Sequence, residues 1–234
     1  MDIQDFSRSQ ALNNIPTRKL QNFLTTIEES NDSQEVKHVK LIAANRYAES
    51  NIPFEYWTLK MEKDFHGDPR LLNKYEEYIK DLKQSYINGS SICFAGGHGL
   101  GKTFTVTSIL KKACQKNFTC LYTTLSDIVN VMTSGIGEDK YLAKRELALV
   151  DFLVIDEFDS RFMPSENAAD LYARSLENVF RTRSQNKLPT LMCTNSPNVV
   201  ESFNGPLKAS MDSLMRGYLK VFVVLGDDFR KKGK

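Results

Sequence analysis

Residues 96–103 read Gly-Gly-His-Gly-Leu-Gly-Lys-Thr, which fits the spacing G-x-x-x-x-G-K-[ST]. No other stretch constrains the fold as tightly, because this pattern works only where it follows a strand and opens a helix. Both neighbours are present. Ile92 to Ala95 is a short apolar run, and Lys102 to Gln115 has a helical pattern. A strand feeding a helix is one unit of a parallel sheet covered by helices. The texture persists from Ser91 onward, with further strand-like runs at Thr119 to Thr123, Phe152 to Ile155, Thr190 to Thr194 and Leu219 to Leu225. Helical patterns fall between them at Leu125 to Met132, Asp139 to Leu147 and Glu166 to Ser184, the last with Ser165 placed to cap its start. The expectation is an α/β domain with a five-stranded parallel sheet flanked by helices.

The preceding residues are different in kind. Residues 1–50 are polar, with two amphipathic stretches at helical spacing: Leu20, Phe23, Leu24 and Ile27, then Val36, Val39, Ala43 and Tyr47. They predict a small helical appendage with too little apolar surface for a core of its own. Residues 51–90 read as a connection punctuated by Asn51-Ile52-Pro53 and Asp68-Pro69, then one helix from Leu71 to Tyr86 ended by Asn88-Gly89. Residues 91–234 form the main domain.

Composition excludes several classes. Hydrophobic residues make up 41% and charged residues 26%, ordinary for a folded chain and too apolar for a disordered one. No run approaches a membrane span, and the first residues lack the layout of a secretory signal, so a cytoplasmic location is expected. The four cysteines form no C-x-x-C pair; they predict small buried hydrophobes, not a zinc site or disulfides. The net charge of +2 declares no nucleic-acid binder, so any such binding must come from local patches.

The chemistry sits at strand ends. Gly96, Gly97, His98, Gly99, Leu100 and Gly101 form a loop whose backbone N–H groups can face phosphates, aided by the N-terminus of the following helix. Lys102 is placed to neutralise the β- and γ-phosphates of ATP, and Thr103 to put its hydroxyl on Mg²⁺. Phe152-Leu153-Val154-Ile155 then ends in Asp156 and Glu157. Asp156 is the candidate second ligand of Mg²⁺, and Glu157 the candidate base that polarises an attacking water. Asn195, at the end of Thr190 to Thr194, is a third strand-end residue able to orient that water, since ligands of open α/β sheets gather at the carboxyl edge.

With these motifs in place, the chain resembles the AAA+ ATPases of the DnaC/DnaI helicase-loader and IstB transposition-helper group over about residues 45–230. Beyond the nucleotide motifs, the likeness rests on Asn51-Ile52-Pro53, on Val150 to Glu157, on Arg183 to Asn195 (reading R-S-Q-N-K-L-P-T-L-M-C-T-N) and on Gly226-Asp227-Asp228-Phe229-Arg230. The resemblance implies a P-loop ATPase without a C-terminal helical lid, self-association into an open ring or spiral with ATP between subunits, and single-stranded DNA along its inner face. It further implies a replicative helicase as partner, gripped by residues 1–50, or a transposase in the IstB-type alternative. The group's trans-acting arginine is expected after Asp212, but that place holds Ser213, and Arg216 stands one helical turn on as the candidate. Lys140, Lys144 and Arg145 fall where the group inserts DNA-contacting helices, diluted by Glu138, Asp139 and Glu146. The basic tail Arg230 to Lys234 is the next candidate for DNA. A P-loop phosphotransferase and a nucleotide-dependent adaptor without turnover are the rivals from other classes.

Overall fold

The computed structural model describes residues 12–134, 137–159, 166–197, 199, 208–209, 212–214, 217–226 and 228–229. Among them, five strands form one parallel sheet in the order β2-β3-β4-β1-β5. These are β1 (Ser91–Gly96), β2 (Cys120–Thr124), β3 (Phe152–Asp156), β4 (Thr190–Thr194) and β5 (Leu219–Val224). β1 lies between β4 and β5, with Ile92 opposite Leu191 on one side and Lys220 on the other. The expected strands all appear, with ends shifted by one residue at most.

Strand alternation sends successive side chains to opposite faces, and each face has its own core. Ile92, Phe94, Phe152, Val154, Leu191 and Cys193 belong to one buried cluster. Cys93, Ala95, Leu153, Ile155 and Met192 belong to the other. The first face is covered by α6 (Lys102–Gln115) together with the N-terminal elements, and the second by α7 (Leu125–Ser134), α8 (Gly137–Leu149) and α9 (Glu166–Gln185). All four cysteines are buried thiols, as their apolar settings predict.

The N-terminal elements are α1 (Thr17–Glu28), α2 (Gln34–Glu49), a 3-10 turn (Phe54–Tyr56), α3 (Met61–Asp64), α4 (Pro69–Lys80) and α5 (Leu82–Ile87). Ser33 caps α2 by accepting from the Val36 amide, and Asp68 caps α4 ahead of Pro69. Two details differ from expectation. The helix predicted from Leu71 to Tyr86 breaks at Asp81, where φ is −133° and ψ 70°, and the Asp81 carboxylate caps the new helix at Gln84. On α2, Val36 and Val39 are exposed, whereas Ala44, Tyr47 and Ala48 are buried, because only the second half of this helix reaches the core.

The connection over residues 51–68 is packed. Ile52 is wholly buried, and Trp57 and Met61 nearly so. Trp57 packs edge to face against Phe23 and Tyr47 and at a tilt against Phe54, with ring centroids 5.5, 6.0 and 5.0 Å away. Such aromatic pairs contribute roughly 0.5–1.5 kcal/mol each beyond area burial, so α1, α2 and the connection share one core with the sheet. Lys111 of α6 pins the connection from beneath, donating to the carbonyls of Tyr56, Trp57 and Leu59. Burial of its ammonium pulls the Lys111 pKa down to about 8.

At the opposite edge of the sheet from the glycine loop, Arg183 is fully buried. Its guanidinium donates to Thr190 Oγ1 at 2.8 Å and to the carbonyls of Val150 and Pro189 at 2.8 and 2.7 Å. It also reaches the Leu147 carbonyl at 3.1 Å. These carbonyls end α8 and precede β3 and β4, so one planar fork fastens three chain segments.

Candidate nucleotide-binding site

The loop between β1 and α6 is shaped by its glycines. Gly96 has φ +150°, and a Cβ there would lie 2.0 Å from the Val224 carbonyl oxygen of β5. Gly101 has φ +95°, with the Phe65 ring 2.5 Å from where its Cβ would be. Only glycine fits at either place. Gly101 is also the N-cap of α6, so the first amides of that helix point into the space above the sheet.

That space is a cavity of about 800 Å³, within the range of small-molecule sites. His98, Gly99, Leu100 and Gly101 form its floor, with Lys102 and Thr103 beside them. Asp156, Glu157 and Asn195 enter from the ends of β3 and β4. Residues from three distant parts of the chain therefore meet at one carboxyl edge, as their strand-end positions predict. Gly96 and Gly97 do not line the cavity; their carbonyls accept from Lys102 Nζ at 2.9 and 2.6 Å. Lys102 also donates to Asn195 Oδ1 at 3.1 Å.

Asp156 and Glu157 diverge sharply. Asp156 is 5% exposed, its Oδ1 accepting from the Glu157 amide at 2.7 Å and its Oδ2 from the Tyr122 hydroxyl at 2.8 Å. Burial, followed by the charge of Asp156, pushes the Tyr122 pKa far above its ordinary value, so the phenol keeps its proton and donates it. Glu157 has φ +50°, a left-handed conformation rare outside glycine, asparagine and aspartate. Glu157 is exposed where it lines the cavity, while Phe158 returns to the sheet, its amide donating to the Cys193 carbonyl at 2.8 Å.

Thr103 and Asp156 present a hydroxyl and a carboxylate to the same cavity. These are hard oxygen donors of the kind Mg²⁺ takes when phosphate oxygens and water complete its shell, and each Asp156 oxygen keeps a lone pair beyond its hydrogen bond. Among the described residues there is no cluster of three or more His, Cys, Asp or Glu that could hold a metal by itself. The residues present fit an ion that arrives with a nucleotide.

An aromatic wall of the cavity was not singled out as such in the sequence. Tyr56, Phe65, Phe104 and Phe229 line it with His66 and Gly67, and the Phe104 ring lies 5.8 Å from Tyr56 and 5.6 Å from Phe65, edge to face. Phe104 follows the loop motif directly, and Phe229, after β5, falls in the stretch Gly226 to Arg230 that carries the resemblance without marking a cavity role, but the others come from the connection before α4, with no spacing to mark them. Two clasps hold those segments over the loop. The Asp68 amide donates to the Leu100 carbonyl and the Phe229 amide to the Gly99 carbonyl, at 3.1 and 3.2 Å. Arg70 pairs with Asp68 at 2.8 Å and reaches the Leu225 carbonyl at 2.6 Å, and this guanidinium holds the Asp68 carboxyl below its usual range.

Of the remaining candidates, Lys140 donates to the Met132 carbonyl at 2.6 Å, which ties α8 to the end of α7. Lys144 and Arg145 are exposed on α8, away from the cavity lining. Arg216, the expected cap Ser165 and the tail from Arg230 lie outside the described residues. No helix among the described residues is long and apolar enough to cross a membrane.

Comparison with known proteins agrees with this geometry. The model of the family described as IstB-like ATP binding protein matches residues 50–189. No curated protein matches the chain. Among solved structures, that of DnaI superposes with a TM-score of 0.60 at 16% identity, covering 76% of this chain and 94% of DnaI. The DnaC helicase loader gives 0.57 at 16% identity, covering 74% of this chain and 99% of the loader. The replication initiator DnaA bound to AMPPCP and single-stranded DNA gives 0.54 at 16% identity, over 74% of this chain and 51% of DnaA. The parallel sheet, the glycine loop and the family match together place the fold as an AAA+ P-loop domain, and the chain belongs to the IstB-like ATP-binding family.

Proposed function

We propose that this protein hydrolyses ATP with Mg²⁺ and uses the cycle to load or remodel a replicative helicase on single-stranded DNA. The observation that carries the ATPase reading is the convergence of Lys102, Thr103, Asp156, Glu157 and Asn195 on one cavity. The loop amides and the α6 N-terminus bind the phosphates, and Lys102 exchanges its loop carbonyls for phosphate oxygens. Thr103 and Asp156 hold Mg²⁺, which when bound offsets charge on the β- and γ-phosphates. Glu157, exposed in the cavity lining, accepts a proton from the attacking water, and Asn195 orients that water. The aromatic wall receives the base by stacking and apolar contact.

The DNA-replication side of the proposal is supported by the kinship of the fold with DnaI, the DnaC helicase loader and DnaA. In this reading the chain is cytoplasmic, assembles as an open ring or spiral with Arg216 reaching the neighbouring site, and binds the partner through residues 1–50. The match to the IstB-like family favours a second reading, a transposition helper with the same ATP chemistry. The chemistry is tested by two variants. Lys102→Ala should remove nucleotide binding, whereas Glu157→Gln should retain binding and lower turnover by roughly 10² to 10⁴. Wild-type phosphate release by Glu157→Gln, with or without DNA, would refute the hydrolytic role. Capture in the presence of ATP separates the partners: a recovered helicase supports the first reading and a transposase the second.

A further inference from the structure

β2 is an outer strand of the sheet, yet its edge is closed at Tyr122. The Tyr122 amide donates to the Ser50 carbonyl at 2.8 Å, and its carbonyl accepts from Asn51 Nδ2 at 3.0 Å. Both backbone groups of one residue are therefore held by the chain leaving α2. Asn51 makes this possible through a left-handed turn, φ 52°, which asparagine tolerates. Its Oδ1 accepts in turn from the Asn14 amide at 2.8 Å, and the Asn14 side chain reaches Asp127 of α7 at 3.2 Å. The start and the end of the α1–α2 hairpin thus meet at Asn51.

The residue so clamped is also the one whose hydroxyl donates to Asp156 Oδ2 at 2.8 Å. Tyr122 is 8% exposed and Asp156 5%, so little water is at hand to replace that bond. We propose that Tyr122 is a positioning residue that makes the cation-holding geometry of Asp156 depend on the seating of the N-terminal helical hairpin. The inference rests on the ATP and Mg²⁺ reading of the cavity. When the hairpin is seated, Ser50 and Asn51 fix the β2 backbone, the phenol stays in place, and the Asp156 carboxylate is held against rotation. When the hairpin lifts, β2 loses two edge hydrogen bonds and the carboxylate loses a fixed donor. The coupling runs both ways, because an ion that favours the held carboxylate must favour the seated hairpin by the same factor. A partner that pulls on α1 or α2 would then be felt at the nucleotide.

The test uses the full chain, a fluorescent non-hydrolysable ATP analogue and a Mg²⁺ titration, so no turnover is needed. Tyr122→Phe keeps the ring and removes only the hydroxyl. It should raise the half-saturating Mg²⁺ concentration at least ~10-fold, in line with the effect of outer-shell partners on metal affinity. Nucleotide affinity without Mg²⁺ should stay within about 2-fold, since Tyr122 does not touch the phosphate loop. Asn51→Asp removes the donor to Tyr122 while tolerating the left-handed backbone; Asn51→Gly serves if the aspartate variant does not fold. Either should shift the Mg²⁺ response in the same direction, and the double variant should match Tyr122→Phe alone. An unchanged Mg²⁺ response in Tyr122→Phe, or an Asn51 effect that adds fully to it, would overturn the inference. Wild-type protein that binds the analogue without any Mg²⁺ dependence would instead overturn the underlying reading of the cavity.

Discussion

The ammonium of Lys102 lies 3.1 Å from the side-chain oxygen of Asn195, which ties the first turn of α6 to the end of β4 across the floor of the cavity. In the mechanism proposed above, Asn195 would therefore act on the cation that meets the phosphates as well as on the space where water attacks.

This pairing gives Asn195 substitutions effects of known sign. Asn195→Asp places a carboxylate beside the ammonium, so Lys102 gains an ion-pair partner that competes with phosphate and repels it. ATP affinity should fall about 10-fold or more, equivalent to about 1.4 kcal/mol. Asn195→Ala removes a neutral acceptor from Lys102 and adds no competing charge, so affinity should remain near wild type while turnover drops. Nucleotide titration followed by single-turnover phosphate release checks both arms, and equal affinities for the two variants would refute the competition.

The left-handed backbone at Glu157 bears on stability independently of catalysis. A glutamate at φ +50° is held in a sparsely populated region at a cost on the order of 1 kcal/mol. Asparagine adopts that region more readily, and a β-branched residue hardly at all. Glu157→Asn should melt at or above the wild-type temperature, whereas Glu157→Val should melt about 2–8 °C lower for a loss of roughly 1–2 kcal/mol in a chain of this size. Both should lose turnover. Equal melting temperatures for the two variants would show that the kink carries no strain.

Much of the architecture is legible in the sequence because its signals are local. The glycine loop, the five apolar runs and the strand-end Asp156, Glu157 and Asn195 each depend on residues adjacent in sequence. The aromatic wall depends on where the chain returns after long excursions: Phe65 meets Phe104, and Phe229 meets Gly99, for reasons of topology that no spacing encodes. Arg183 is similar, since its partners lie on α8 and before β3 and β4. On α2, periodicity identifies a helix but not its buried face, because Val36 and Val39 are as apolar as Ala44 and Ala48 yet lie beyond the core.

Lys111 makes the stability of the connection depend on pH. Its pKa falls from 10.5 to about 8 on burial. Between those values the unfolded chain holds a proton that the folded chain lacks, so raising the pH favours the folded state; below about 8 both are protonated and the slope vanishes. Lys111→Met removes this dependence. Subtracting the variant's stability from the wild type's cancels other alkaline titrations, and the difference should move in favour of wild type by about 1.5 kcal/mol between roughly pH 8 and 9.5. Denaturant midpoints at the two pH values measure it. A difference that stays flat, or falls, would mean that the Lys111 ammonium is not depressed by its site.

The three basic residues proposed for DNA differ in their settings, and the difference predicts distinct effects. Lys140 is engaged with the Met132 carbonyl at 2.6 Å, at the end of α7, whereas Lys144 and Arg145 stand exposed on α8. A lysine that caps a helix end contributes to stability, since helix termini of this polarity favour cations. An exposed cation can meet phosphate, with counterions released as it binds. Lys140→Ala should therefore lower the melting temperature and change the salt dependence of single-stranded DNA binding little. Lys144→Ala with Arg145→Ala should flatten the slope of log affinity against log salt by about 0.7 for each phosphate no longer neutralised. Fluorescence anisotropy on a labelled oligonucleotide at several salt concentrations, with melting curves for each variant, separates the two roles. An unchanged slope in the double variant would move the DNA site off α8, and the basic residues from Arg230 to Lys234 would be tested next by truncation.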